Sequence, residues 1–217
     1  MGMFLRRGPA LSRGTPIGSL DIGATVKLNV NGTAREFLVV HQGLPSTLYD
    51  ASCDGTWLLM KDTYNKIRVD NSNTYLNNTF LGSLDDDVKN AIKSVRIPYL
   101  PDGKERVEEL ACKVFLLSGY EVGWTTKDVG DKLPVEGSKL SYFESGTGAS
   151  ANNKRIAKYD GAATEWWLRS NRIYTSGYGY AVTTVGMYTM QTQGRSYGIR
   201  PAFILPSDFL LTDDMLA

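Results

Sequence analysis

The sequence predicts an α+β fold: a single domain of short antiparallel strands with one or two helices and long irregular loops. Three observations predict it. A period-two hairpin opens the folded part at Val26–Val40, and one amphipathic helical stripe runs from Leu84 to Val95. Beyond it, a loop-dominated stretch from Val122 to Asn153, rich in Gly and Ser, precedes several strand-length apolar runs. At 217 residues, with 42% hydrophobic and 22% charged, the chain is long enough to bury a sizeable core. Neither an internal repeat nor a linker divides it.

Residues Met1 to Leu20 are rich in Gly, Pro, Ser and Arg and lack periodicity, which predicts an extended arm. The domain proper is expected over 21–217. In its first hairpin Val26, Leu28 and Val30 alternate with Lys27 and Asn29, and Arg35–Val40 returns. Asn31-Gly32 between them supplies the two positive-φ positions of a type I′ turn. Thr56–Met60 is a second apolar strand, and Thr74–Phe80 predicts a short helix.

The main helix is expected to start near Ser83 or Leu84, with Leu84, Val88, Ala91, Ile92 and Val95 on one stripe. Asp85, Asp86 and Asp87 crowd its first turn while Lys93 and Arg96 close it, matching the helix dipole. Ser83 with Asp86 three residues on resembles a capping box, and Pro98 marks the stop. Further strands are expected at Val114–Leu117, Glu165–Arg169, Gly179–Thr184, Met187–Gln191 and Ile199–Leu205.

Several function classes fall away on composition. The net charge of +1 provides no field of one sign, so nucleic acid is not an expected partner. No apolar run reaches membrane-spanning length, so no membrane insertion is expected. The N-terminus lacks a signal-peptide pattern, which predicts synthesis in the cytoplasm as a soluble chain that a secretion signal does not export. His41 is the only histidine, and Cys53 and Cys112 read as free thiols, so a protein zinc site, which needs about four ligands, is not expected. "GYGYAVTTVG" lacks the Lys-Ser/Thr of a phosphate loop, and "ESGTGAS" lacks a nucleophile elbow. Glu105, Glu108 and Glu109 read as a solvated face. No catalytic residue, metal or cofactor is therefore expected.

Adjacent Trp166 and Trp167 on a strand point to opposite faces, one anchoring the core and the other lying toward the surface or beneath a loop. Arg169 and Arg200 are expected to pair with buried carboxylates or backbone carbonyls. From Ser170 to Tyr197 the chain contains no Asp, Glu or Lys and is dense in Tyr, Thr, Ser and Gly. Written as an extended chain, Tyr174, Ser176, Tyr178, Tyr180 and Val182 share one face, opposite Ile173, Thr175, Gly177, Gly179 and Ala181. An outward tyrosine face with adaptable small neighbours is the composition of antibody contact loops. The ligand-contacting candidates are Asn171, Arg172, Tyr174, Ser176, Tyr178, Tyr180, Tyr188, Gln191, Thr192 and Arg195. The alternative is that the tyrosines pack inside a sheet with their hydroxyls on backbone.

"EWWLRS" at Glu165–Ser170, followed after the Tyr-rich interval by "YGIRPAFIL" at Tyr197–Leu205, resembles the DUF6273 family of gut-bacterial and phage proteins. "TVKLNVNGTAREFLVVHQGLPSTLYDASCDGTWLLMKD", "YLNNTFLGSL" and "CKVFLLSGYEVGW" are similar to its earlier segments, so the likeness spans Ile22 to Pro206. The resemblance implies a C-type-lectin-like, formylglycine-generating-enzyme-like fold. It implies framework positions at Trp166, Trp167, Arg169, Gly198, Arg200 and Pro201, with a ligand surface inside Asn171–Ser196. In some related phage proteins retroelements diversify that segment toward Tyr, Asn, Ser and Thr; this interval is poor in Asn. The Glu-Pro-Asn and Trp-Asn-Asp calcium motifs are missing, as is a C-terminal cysteine pair, so recognition without catalysis is implied. The expected protein is a virion component of a tail, fibre or head that meets a host cell-surface protein or glycan. Its N-terminal arm would hold other virion proteins or sister subunits of a homo-oligomer. A structural decoration or assembly protein is the alternative.

Overall fold

Apolar runs without alternation mark strands covered on both faces, and three of them organise this fold. The computed structural model describes residues 14–216. Its strands are β1 (Thr15–Pro16), β2 (Thr25–Val30), β3 (Thr33–Gln42), β4 (Thr56–Met60), β5 (Lys66–Arg68), β6 (Val95–Tyr99), β7 (Glu108–Cys112) and β8 (Val114–Phe115). They continue with β9 (Ala157–Tyr159), β10 (Ala162–Thr164), β11 (Trp166–Asn171), β12 (Tyr178–Val182), β13 (Tyr188–Thr192), β14 (Ser196–Gly198), β15 (Ala202–Leu205) and β16 (Leu210–Leu211). The helices are α1 (Ser72–Thr74), α2 (Asp86–Ala91), α3 (Thr126–Val129) and α4 (Ala149–Arg155). One five-stranded sheet has the order β2-β3-β4-β15-β8 and the other β13-β12-β11-β14-β5; β1–β16, β6–β7 and β9–β10 form separate pairs. The architecture is thus α+β, with short, mostly antiparallel strands.

The first hairpin forms as its sequence dictates. Asn31 (φ 51°) and Gly32 (φ 69°) make the turn, and Val26, Leu28 and Val30 all face the core. In β4 and β15 burial is continuous. Trp57, Leu59, Ala202 and Ile204 pack into one apolar cluster, while Leu58, Met60, Phe203 and Leu205 pack into the other. β11 does the same with Trp166 and Leu168 on one side and Trp167 on the other. The two tryptophans therefore do point to opposite faces, but both are fully buried. Trp167 lies under the Tyr197 ring, 4.9 Å away, and donates from Nε1 to the Ile67 carbonyl at 3.1 Å.

Three local expectations are corrected. The helix expected through Val95 is α2 alone; Ile92 turns extended (φ −57°, ψ 124°) and Val95 opens β6. The stripe recorded burial correctly, since Val88, Ile92 and Val95 are all buried, but Val95 and Ile97 satisfy a strand period equally well. Pro98 accordingly sits within β6, opposite Glu109, in a two-stranded pair that leaves room for a missing N–H. Ser83 does not cap: its hydroxyl donates to the Phe80 carbonyl at 2.6 Å, and Asp85 is the N-cap. A true capping box, Thr125 with Asp128, starts α3 inside the stretch expected to be loops, which also holds α4. Helix at Tyr75–Phe80 is present, as π-helical turns continuing α1.

Residues 15–20 of the expected arm instead join the packed body. β1 pairs with β16, and Ile17, in the 3₁₀ turn that follows, is fully buried in the first cluster. The arm's portion at Met1–Arg13 lies outside the described residues. Truncating Ile17 to Ala should cost about 2–5 kcal/mol of unfolding free energy, read from urea midpoints. An unchanged midpoint would mean that 14–20 contributes nothing to the packed body.

Candidate ligand surface and the cleft beside it

Beneath the Tyr-rich segment, β11 ends in three buried polar residues, Arg169, Ser170 and Asn171. A buried guanidinium demands a partner for each of its five N–H groups. Arg169 finds them all: Nε donates to the Pro98 carbonyl (3.0 Å) and Nη1 to the Leu116 carbonyl (2.9 Å). Nη1 and Nη2 grip Glu121 in bidentate fashion at 2.5 and 2.7 Å, and Nη2 also reaches the Glu136 carbonyl at 2.9 Å. Glu121 further accepts from the Tyr49 hydroxyl (2.8 Å) and the Ser118 amide (2.9 Å).

Glu136 is fully buried in the same network, yet Arg169 touches only its backbone carbonyl. Its carboxyl accepts from the Leu100 amide at 2.6 Å and from the Ser170 hydroxyl. Burial pushes this carboxyl up to about 7, against the pull of the Arg169 charge. One guanidinium thus serves two acids and neutralises the one that it grips.

Beside the network opens a cleft of about 310 Å³. Leu76, Leu110, Phe115 and Leu116 form its apolar lining, and Asp70, Tyr99, Asp102, Asn171 and Gln193 supply polar groups. Arg169 also borders it, but with every N–H engaged it has no donor left for an anion. Asn171 donates to the Leu100 carbonyl (2.7 Å) and accepts from Gln193 (2.9 Å). Asp102 accepts from the Ser176 hydroxyl (2.6 Å), the Gly177 amide (2.9 Å) and Gln193 Nε2 (3.1 Å). It therefore fastens the turn at 172–177 to the rim of the cleft. At the crest of that turn Tyr174 holds a left-handed backbone (φ 61°), is 62% exposed and carries the Lys132 ammonium 4.6 Å from its ring.

The structure divides the ligand candidates. Tyr174, Ser176, Tyr178, Thr192 and Arg195 are exposed, whereas Arg172, Tyr188 and Gln191 are half-buried. Arg172 is engaged with the Thr175 hydroxyl (2.6 Å), and Tyr188 stands edge-on to Trp124 at 5.8 Å. Asn171 is buried in the cleft wall, and Tyr180, at 3% exposure, belongs to the core. The single outward tyrosine face is therefore corrected. The chain turns at Tyr174 and Gly177 and is extended only from Tyr178, and β12 lies between two clusters that take Ala181 on one side and Tyr180 with Val182 on the other.

All six framework positions, Trp166, Trp167, Arg169, Gly198, Arg200 and Pro201, are buried. A Cβ on Gly198 would lie 2.6 Å from Thr63 Cγ2, so only glycine fits. Arg200 donates to the Met60 and Lys61 carbonyls (3.0 and 2.9 Å) and stacks 4.7 Å from the Trp166 ring. Tyr99, Asp102, Glu121 and Glu136 were not anticipated; the only signal was a lone Glu between apolar and Gly residues in "YEVGW" and "PVEGS". His41 Nδ1 lies 2.8 Å from the Ser141 hydroxyl, with no carboxylate on the ring among the described residues. Burial pushes the free thiols of Cys53 and Cys112 up to about 11 and about 12.

A family model described as a domain of unknown function (DUF6273) matches residues 54–207. No curated protein and no solved structure matches the chain.

Two outcomes follow from the buried network. Between the ordinary carboxyl value of 4.5 and about 7 the native state binds a proton at Glu136 that the unfolded chain has lost. Stability should therefore fall as pH rises through that window, by up to about 3 kcal/mol. Glu136→Gln should flatten this dependence in urea titrations, and parallel curves for the two proteins would place the titration elsewhere. Arg169→Lys, which cannot reproduce the bidentate grip, should destabilise by about 3–5 kcal/mol in the same assay.

Proposed function

The chain belongs to the DUF6273 family, and from that premise we propose that it is a non-catalytic recognition protein, a phage virion component whose C-type-lectin-like domain contacts the host surface. Short antiparallel strands, few helices and long irregular loops support the lectin-like reading. The observation that carries the recognition reading is the exposure of Tyr174, Tyr178, Val185 and Met190 on one segment that contains no Asp, Glu or Lys. Aromatic anchors freed of charged neighbours are what binding surfaces concentrate. Tyr174 stands on the turn tied down by Asp102, Val185 on the closed turn between β12 and β13, and Tyr178 and Met190 on those paired strands, so little ordering entropy is lost on contact.

The neighbouring cleft narrows the ligand chemistry. Its apolar lining, its two carboxylates and the lack of a free arginine donor suit a group with hydroxyl or amine donors on an apolar body. A sugar ring or a basic side chain of a host surface protein has that character. Val185, 62% exposed between β12 and β13, favours the second reading, a decoration protein whose same surface is permanently covered by another virion protein.

The two readings separate on cells. Labelled protein should bind intact candidate host cells, and Tyr174→Ala with Tyr178→Ala should weaken that binding at least about tenfold. Both side chains are exposed, so the variant should melt with the wild type. Equal binding by the variant, or none by the wild type, would transfer the tyrosines to an interface inside the particle.

A further inference from the structure

The two five-stranded sheets have four edges, and three of them are guarded. β2 is covered by bridges from Leu84 to Val30 and from Leu216 to Val26. β8 is capped by one side chain: Asn77 Oδ1 accepts from the Lys113 and Val114 amides (2.9 and 3.1 Å), and its Nδ2 donates to the Val114 carbonyl at 2.9 Å. β5 has only three residues, two of them Lys66 and Arg68, and Asn65 Oδ1 takes the Lys66 amide at 2.8 Å. Short length, charge and covering segments are the devices by which sheets avoid edge-to-edge pairing.

β13 has none of them. It is five residues long, Tyr-Thr-Met-Gln-Thr, with no charge, proline or bulge. Its phase is fixed by hydrogen bonds from Thr183 N–H to the Met187 carbonyl (2.7 Å) and from Gln193 N–H to the Gly177 carbonyl (2.9 Å). Thr189 and Gln191 therefore face the β12 ladder, and Tyr188, Met190 and Thr192 turn their backbone groups outward. Among the described residues no hydrogen bond reaches the outward groups of Tyr188 or Met190; the Thr192 carbonyl accepts from Arg195 at 3.1 Å.

We infer that the β13 edge pairs antiparallel with β13 of a second copy of this chain, about a two-fold axis at Met190. A strand without charge can meet itself without repulsion, and a two-fold places each residue against its own complement. Met190 then exchanges two N–H···O bonds with its symmetry mate, and each Thr192 amide reaches the Tyr188 carbonyl of the other copy. The two Met190 side chains, 39% exposed in one copy, cover each other at the seam. Met190 shares its face with Tyr178 and Tyr188, since β13 sets Thr192, Met190 and Tyr188 opposite Tyr178, Tyr180 and Val182. The joined sheets thus carry Tyr178 of both copies on one side, at the margin of the face that takes Tyr180 and Val182 into the core. The dimer does not depend on the host-contact reading and stands whether or not cells are bound.

A strand of this length gives an interface at the small end of the known range, so association should appear only at micromolar concentrations and above. Sedimentation of the full chain over a concentration series should show a reversible monomer–dimer equilibrium. Met190→Lys sets two ammonium groups face to face and should weaken the dimer at least about tenfold at low salt, with recovery at high salt. Hydrogen exchange on the wild type supplies a test without mutation. The Met190 and Thr192 amides should gain protection as concentration rises, whereas those of Thr189 and Gln191 are protected throughout. A wild type that stays monomeric overturns the inference, as does a dimer that ignores Met190→Lys or leaves the Met190 amide unprotected.

Discussion

The Arg169 guanidinium is the constraint on which the rest of the structure depends. Charged and removed from water, it is stable only while every donor is matched. Its partners come from four places: the Pro98 carbonyl in β6, the Leu116 carbonyl past β8, Glu121, and the backbone of Glu136. The chain between Leu116 and Leu140 belongs to no sheet, and beyond its local turns it is fastened to this one cation at Leu116, Glu121 and Glu136. A loop that runs under other residues must satisfy its own polar groups. Glu121 and Glu136 let this one do so.

The same network sets what the surface can be. Ser170 follows Arg169 and donates to Glu136, and Asn171 then bonds the Leu100 carbonyl and Gln193. Gln193 also donates to Asp102, which accepts from Ser176 and Gly177. An unbroken line of hydrogen bonds therefore runs from the buried ion pair to the turn that presents Tyr174. Cooperative networks of this kind are rigid when fully satisfied. An aromatic side chain mounted on one end has little motion to lose when it meets a partner.

How much of this was legible in the sequence depended on distance along the chain. The Asn31-Gly32 hairpin was legible because turn chemistry and alternation act over a few residues. The end of α2 was not, because Val95 fits the helical stripe as well as it fits a strand alternation with Ile97, and pairing with Leu110 and Cys112 decided between them. Tyr180 was misplaced for a related reason. Alternation says which residues share a face, but not whether that face meets water, and here Trp124, Leu133 and Trp166 belong to the cluster it enters. Glu121 and Glu136 were hidden by chemistry itself. A lone acid beside Val and close to Gly reads as exposed, and only a distant arginine makes burial tolerable.

The framework and the surface are also separable, and that has a physical cause. Arg200 stacks on Trp166, whose Nε1 donates to the Arg155 carbonyl at 2.9 Å, and Arg155 in turn stacks 4.7 Å from Trp124. Arg155 further binds the carbonyls of Val122, Glu144 and Gly146, so the Gly-rich loop before α4 closes on the same frame. Tyr174, Tyr178, Thr192 and Arg195 contribute no side chain to these bonds. Side chains there can differ in size and polarity without opening a cavity or orphaning a buried donor. A segment free to vary over a frame that cannot is the arrangement the proposed recognition would require, and it follows from placing the polar network under β11 and not at the surface it supports.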